Sequence, residues 1–423
     1  MHGDNLLLFA HFISTRLCHM SSEKKNTLVV GQRILVTIEK IAHGGHFIAR
    51  HDGAVIFVRH AIPGEECEIE ITSTGSSFNR ADVVEVKKNS TDRVNAPCRF
   101  AHRNGCGGCD FQHISIARQR ALKSDVIREQ FARIAKMDIT VDVEEVSAPL
   151  GWRTRCTAVT TKSGALGFYK ARSHSIIPVD DCRILIPEMG YSQLSQRGAK
   201  GDQRIEISYS NTGERTIATA NSRDESPFRI TEGNEIAHYT VGDRTLEVSQ
   251  KSFWQSHKDA PRVLTDAVLS LAELREGDHV LDLYGGVGLF TASALPLVGE
   301  KGSVDIVEGS KSATADAARN FKDFTNVRIH TGDVAQFITR FSTADVIILD
   351  PPREGAGRDV ISHCAGLKAR SIIYVACDPA ALARDTSYLQ NSGYQLVTLR
   401  AFDLFPMTHH IESIALFMPS KVS

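Results

Sequence analysis

Between residues 28 and 88, apolar and polar side chains alternate as they do in half-buried strands. Arg33-Ile34-Leu35-Val36-Thr37-Ile38, Val55-Ile56-Phe57-Val58, Glu66-Cys67-Glu68-Ile69-Glu70-Ile71 and Ala81-Asp82-Val83-Val84-Glu85-Val86 are the strand segments, punctuated by Gly44-Gly45, Asp52-Gly53 and Pro63-Gly64. That spacing predicts a small all-β barrel of OB-like size. Over 115–135 the period lengthens, with Ile116, Leu122, Val126 and Ile134 near helical spacing, and an amphipathic helix is expected there. Residues 140–247 mix short strands such as Arg155-Cys156-Thr157-Ala158-Val159-Thr160 with Gly/Ser/Asn-rich turns over 208–226.

After about residue 250 strand and helix alternate. Val280–Leu283, Val304–Val307, Val327–Ile329, Val346–Leu349 and Ile372–Val375 are apolar runs, each followed by a helical segment. Five such units predict a doubly wound parallel sheet, closed by two further strands near 394–402 and 412–418. The expected fold is therefore α/β: a Rossmann-like catalytic domain over 248–423, an OB-like barrel over 28–90, a mixed α+β central domain over 91–247 and a loose tail over 1–27.

Composition narrows this picture only slightly. With 423 residues, 42% hydrophobic and 23% charged, the chain is globular and has apolar mass for two or three cores. Its net charge of −1 hides a local excess: from Arg93 to Lys136 there are nine Lys/Arg against three acids, which suggests a basic helix face for nucleic acid. No apolar run approaches the roughly 18–20 residues needed to cross a bilayer. Leu6 to Ile13 is short, is broken by His11 and lacks a basic flank, so a cytoplasmic protein without a membrane partner is expected, with Met20 an alternative start. The nine cysteines are clustered, with Cys98, Cys106, Cys109, Cys156 and Cys182 close in sequence and Cys377 apart. In a cytosolic chain this favours metal binding or catalysis over disulfides.

The turn after the first sheet strand reads Asp282-Leu283-Tyr284-Gly285-Gly286-Val287-Gly288, and Glu308 ends the next strand. Glycines that admit a ligand to the backbone, with an acid for ribose hydroxyls, indicate a nucleoside cofactor. A dinucleotide would need its pyrophosphate on the helix N-terminus and a third glycine where Thr291 stands, so S-adenosylmethionine is favoured over NAD. Gly286 and Gly288 would line that site, and Asp333 after the third strand would suit the adenine amino group. Leu349-Asp350-Pro351-Pro352-Arg353 places an acid on the same rim, and Arg353 replaces the aromatic residue typical of amine methylases. Tyr374-Val375-Ala376-Cys377-Asp378-Pro379 adds a cysteine there. Methylation at carbon 5 of uracil requires a thiolate to add at carbon 6 and a base to remove the carbon 5 proton. Cys377, helped by the dipole of the helix beginning at Pro379, and Glu412 fit these roles, with His409 and His410 as other candidate bases.

Phe253-Trp254-Gln255, the glycine turn, Leu349-Asp350-Pro351-Pro352-Arg353, the Cys377 motif and His410-Ile411-Glu412-Ser413 together resemble the RNA 5-methyluridine methyltransferases. The resemblance spans about residues 28–423 and points to the rRNA-acting branch, which carries an N-terminal TRAM barrel. It implies Cys377 as nucleophile, Glu412 as base and Asp350 at the uracil or the methyl donor, with Gln255, Tyr284 and Glu308 lining the S-adenosylmethionine site. Asp378 departs from the family's usual Asn, and its charge should raise the thiol pKa unless it turns away or is hydrogen-bonded. The resemblance also implies a [4Fe-4S] cluster on Cys98, Cys106, Cys109 and Cys182, leaving Cys156 a bystander; four thiols equally suit tetrahedral zinc or remain unmetallated. The first cysteine interval is longer than in better-known members. The expected substrate is a uridine flipped out of rRNA, ahead of tRNA, by a monomer whose barrel and basic stretch hold flanking phosphates. A scaffold that binds RNA without catalysis is the alternative reading.

Overall fold

A computed structural model describes residues 28–224 and 226–420; the expected tail over 1–27, including Met20, lies outside them. β1 (Arg33–Ala42), β2 (His46–His51), β3 (Ala54–Arg59), β4 (Glu66–Ser73) and β5 (Asn79–Lys88) close into a barrel in the order β1-β2-β3-β5-β4. Alternation drives the closure: Phe47, Ala49, Ile56, Val58, Cys67, Ile69 and Ile71 are buried, and no strand edge is left open.

Beyond the barrel, α1 (Ile116–Gln130) runs into a π-helical turn over Phe131–Ala135, and β6 (Val143–Glu145) follows. The central sheet has the order β12-β11-β10-β7-β8-β9. Its strands are β7 (Arg155–Thr160), β8 (Leu166–Tyr169), β9 (Ile176–Pro178), β10 (Gln203–Tyr209), β11 (Arg215–Asn221) and β12 (Arg229–Glu232), with α2 (Tyr191–Arg197) between β9 and β10. A separate hairpin, β13 (Ile236–Val241) and β14 (Arg244–Ser249), leads into α3 (Ala260–Ala272), a helix the apolar pattern did not single out.

The catalytic sheet then follows the expected alternation. It comprises β15 (His279–Leu283), α4 (Leu289–Val298), β16 (Ser303–Glu308), α5 (Lys311–Asn320), β17 (Val327–Thr331), α6 (Val334–Phe337), β18 (Val346–Leu349), α7 (Gly357–Gly366), β19 (Ser371–Ala376), α8 (Pro379–Asn391), β20 (Tyr394–Asp403) and β21 (Glu412–Pro419). The sheet order is β17-β16-β15-β18-β19-β21-β20-β6. β15 to β19 are parallel, β21 is antiparallel between β19 and β20, and β6 adds a parallel edge strand from far upstream. Among the described residues no helix is long and apolar enough to cross a membrane.

The barrel does not hang from a linker. One continuous apolar cluster contains Phe47 and Ile69 of the barrel, Leu122 and Ile127 of α1, and Ile347, Ile372 and Leu382 of the catalytic domain. Most of the charges of 93–136 are ion-paired, and some of these pairs take part in this joining. Arg93 pairs with Glu65 at 2.6 Å, Arg99 with Asp180, Arg103 with Glu70, Arg118 with Asp92, Arg120 with Glu145 at 2.9 Å and Arg128 with Asp125 at 2.9 Å. Lys123 is fully buried and pairs with Asp403 at 2.6 Å. Among the described residues only Arg133 and Lys136 of these nine lack a carboxylate within 4.0 Å.

Lys123 also donates to the Phe405 carbonyl at 3.0 Å, and burial outweighs the pull of Asp403 to hold its pKa below the usual lysine value. Lys123→Met strands a buried Asp403 charge and should cost about 3–5 kcal/mol in urea or thermal unfolding. Adding Asp403→Leu should recover most of that loss. A single-variant loss below about 1 kcal/mol would place the pair with ordinary surface bridges.

Candidate active site

The rim is built at the carboxyl ends of β15, β16, β18 and β19, where a doubly wound sheet opens for a ligand. Tyr284 leaves β15 with a φ of +62°, its N–H donating to the Val307 carbonyl at 2.8 Å. Gly288 follows at φ +93°, and a Cβ there would lie 2.2 Å from the Phe321 ring. Glu308 braces the turn between them: its two oxygens accept from the Gly286 N–H at 3.1 Å and the Ser310 N–H at 2.6 Å. Thr291, where a dinucleotide fingerprint has its third glycine, instead ties α4 to the sheet by donating its hydroxyl and N–H to Asp282 at 2.6 and 3.1 Å.

Asp282 was visible in the motif but carried no predicted role. It is fully buried, its other oxygen has no partner among the described residues, and burial pushes its pKa up to about 6. An orphaned buried acceptor beside a glycine turn suits a bound donor. Asp333 is exposed and caps α6 through the Gln336 N–H at 3.1 Å, close enough to Tyr284 and Glu308 to share their electrostatic environment. Gln255 stands apart: it is buried and lines a cavity of about 480 Å³ with Trp254, Tyr209 and Tyr239, and no described contact ties it to the rim.

Asp350 bears electrically on both Glu412 and Cys377, and Glu412 bears on Cys377. Loss of water, with Asp282 and Glu308 adding, pushes the Asp350 pKa up to about 7. Glu412 opens β21, pairs with Phe402 of β20 and is buried between Ile411 and Ser413. Burial first and Asp350 second raise its pKa well above the carboxylate range, while Arg353 opposes them. For Cys377, burial and the carboxylates of Glu412 and Asp350 push the thiol up to about 12, Arg353 pulling the other way. The expected lowering by the α8 dipole is thus outweighed. Arg353 is held here because its loop is tied to α8, Asp385 accepting from Tyr374 at 2.7 Å and from the Ala356 N–H at 2.8 Å.

Asp378 does not face the thiol unopposed. It caps α8, accepting from the Ala380 and Ala381 N–H groups at 2.9 Å each, and its second oxygen lies 2.9 Å from His43 Nε2. A cavity of about 180 Å³ opens beside Cys377, walled by Arg353, Lys123, Phe111, His409 and His410, and by the barrel turn at His43–Gly45. The barrel's share of this wall left no signal in local sequence. His409 is bound to Asp110 at 2.6 Å, and burial holds His410 near a pKa of about 3, so both are engaged or neutral.

The four predicted metal ligands lie around one apolar cavity of about 50 Å³. Cys98, Cys106, Cys109 and Cys182 line it with Phe100, Phe168 and Val179; Cys156 reaches the same wall as a fifth thiol. The Gly108 N–H donates to Cys106 Sγ at 3.4 Å, and N–H groups of Ile184 and Leu185 face Cys182. Among the described residues no three His, Cys, Asp or Glu groups converge closely enough to hold a single metal ion.

Comparison with known proteins agrees with this arrangement. Residues 28–84 match the TRAM domain family, and residues 234–419 match the tRNA (Uracil-5-)-methyltransferase family. A protein of Streptomyces coelicolor named as an RNA methyltransferase is 41% identical over 93% of this chain and 94% of its own length. A 23S rRNA (uracil(1939)-C(5))-methyltransferase of Shewanella amazonensis is 28% identical over 92% of this chain and 96% of its own. The solved tRNA (uracil-54, C5)-methyltransferase of Pyrococcus abyssi, in complex with S-adenosyl-L-homocysteine, has the same fold. It superposes with a TM-score of 0.67 at 21% identity, covering 90% of this chain and 99% of that one. With the barrel, the rim and the relatives in agreement, the chain belongs to the RNA (uracil-5-)-methyltransferases that join a TRAM barrel to a Rossmann-like catalytic domain.

Proposed function

We propose that this enzyme transfers a methyl group from S-adenosylmethionine to carbon 5 of a uridine in rRNA, most directly 23S rRNA, within the cytoplasm. The observation that carries this reading is the meeting of Cys377, Asp350 and Glu412 at one rim, where Asp350 bears on Glu412 and both carboxyl groups bear on the Cys377 thiol. The rRNA assignment is supported by the Shewanella amazonensis relative, similar along nearly the whole chain. S-adenosylmethionine would supply the methyl group as an electrophile. Tyr284, Gly286, Gly288, Glu308 and Asp333 would hold it, the orphaned Asp282 oxygen would accept from it, and Gln255 would contribute if its cavity joins the rim on binding.

In this mechanism the flipped uracil enters the cavity beside Cys377. The Cys377 thiolate adds to carbon 6, which makes carbon 5 nucleophilic toward the methyl donor. The Glu412 carboxylate then takes the carbon 5 proton, the carbon–sulfur bond breaks, and the thiolate is released. Asp350, sharing the field of both groups, orients the uracil edge or the donor.

We also propose that Cys98, Cys106, Cys109 and Cys182 hold a [4Fe-4S] cluster. An apolar cavity ringed by thiols, with backbone N–H groups directed at two of the sulfurs, suits a cluster. The cluster would hold the 98–112 loop, which clasps the segment leading to Glu412: the Phe111 N–H donates to the Met407 carbonyl at 3.0 Å, and Asp110 binds His409. Protein isolated without oxygen should show broad cluster absorbance and bound iron, both lost in Cys106→Ala/Cys109→Ala together with RNA binding. Bound zinc without iron would reject the cluster.

Tritium release from RNA labelled at uracil carbon 5, offered as separate rRNA and tRNA transcripts, tests the reaction. Cys377→Ala should abolish release, and Glu412→Gln should lower turnover by about 10²–10⁴ while trapping a protein–RNA adduct that survives denaturing electrophoresis. Release from tRNA alone would move the substrate, and none from either RNA would favour a binding role. The thiol and the Glu412 carboxyl both titrate above their ordinary values and must both be ionised, so the rate should climb with pH through the neutral range. A rate falling over that range would contradict these roles.

A further inference from the structure

Cys377 belongs to the catalytic domain, yet the residue beside it is gripped by the barrel. Asp378 is a carboxylate next to a thiol that must ionise, and an unopposed charge there would hold the proton on sulfur. Both of its oxygens are occupied: one by the Ala380 and Ala381 N–H groups of α8, the other by His43 from the β1–β2 turn. A carboxylate only accepts, so His43 Nε2 carries the hydrogen and donates it.

The turn that presents His43 is fixed from both sides. Gly44 and Gly45 have φ values of +85° and +77°, and a Cβ on Gly45 would lie 2.6 Å from the His409 Cβ, so only glycine lets the turn press against the catalytic loop. His46 Nδ1 donates back to the Gly44 carbonyl at 2.8 Å. The other charged and titratable groups around Cys377 come from elsewhere: Glu412 on β21, Asp350 and Arg353 after β18, Lys123 on α1, and His409 and His410 before β21. Of the carboxylates among them, Asp378 alone is bound by the barrel.

We propose that His43 is a positioning residue for the nucleophile: by holding the Asp378 carboxylate in its cap geometry, the barrel limits how far that charge opposes ionisation of Cys377. This rests on the reading of Cys377 as nucleophile. It makes the barrel part of the catalytic apparatus in addition to any grip on RNA.

The test is alkylation of the intact protein by iodoacetamide across a pH series, followed at the Cys377 peptide by mass spectrometry, alongside kcat and KM for methyl transfer. His43→Ala should slow Cys377 alkylation about three- to tenfold at fixed pH, moving the profile up by about half to one unit. It should lower kcat more than it raises KM for RNA. His43→Gln, which keeps an N–H donor on this exposed turn, should restore most of the rate. Asp378→Asn removes the charge and still caps the helix, so adding His43→Ala to it should change alkylation no further. Equal slowing in both backgrounds, or none in either, would overturn the proposal and leave His43 a structural contact. Methyl transfer surviving in Cys377→Ala would defeat the nucleophile reading instead, while the alkylation comparison would still report whether the barrel controls the thiol.

Discussion

The buried Lys123–Asp403 pair is the contact on which the arrangement of this enzyme depends. Lys123 lies on α1, between the barrel and the cysteine loop, and its ammonium reaches both Asp403 and the Phe405 carbonyl. Gln119, one turn earlier, accepts from the Met407 N–H at 2.9 Å and donates to the Phe111 and Ile114 carbonyls. α1 therefore acts as a wedge that fixes the segment between β20 and β21, and that segment delivers His409, His410 and Glu412. A buried ion pair gives little net stability, but it is unforgiving of misplacement, which is what a site needs from its scaffold.

The chemistry at the rim follows from the same tight joining. The Asp350 and Glu412 carboxyl groups and the Cys377 thiol share a buried space with one nearby guanidinium, so burial and repulsion push all three pKa values up. A uracil and a cationic methyl donor would change that balance on arrival.

The catalytic sheet was legible because buried parallel strands are continuous apolar runs, and Val346–Leu349 and Ser371–Ala376 are buried at every position. The barrel was legible through its alternation. α3 went unnoticed because no motif lay on it, and β6 because three residues carry no period. The basic stretch was legible only in part: sequence counts local charge, whereas Glu65, Glu145, Asp180 and Asp403 arrive from distant positions to pair with it. Thr291 was read as a missing glycine, and only the fold reveals its bond to Asp282. The site motifs could be found one by one, but the contact between His43 and Asp378 spans 335 residues and leaves no local trace.

The position of β21 has a consequence for how the molecule is made. This strand lies between β19 and β20, so β20 and β6 join the sheet only through it. It also follows every other described strand in the sequence. The barrel can close early, and α1 can form behind it, but Lys123 has no Asp403 and His43 no Asp378 until the residues of the catalytic sheet have been made. The barrel can thus be finished well before the rim that it helps to wall exists.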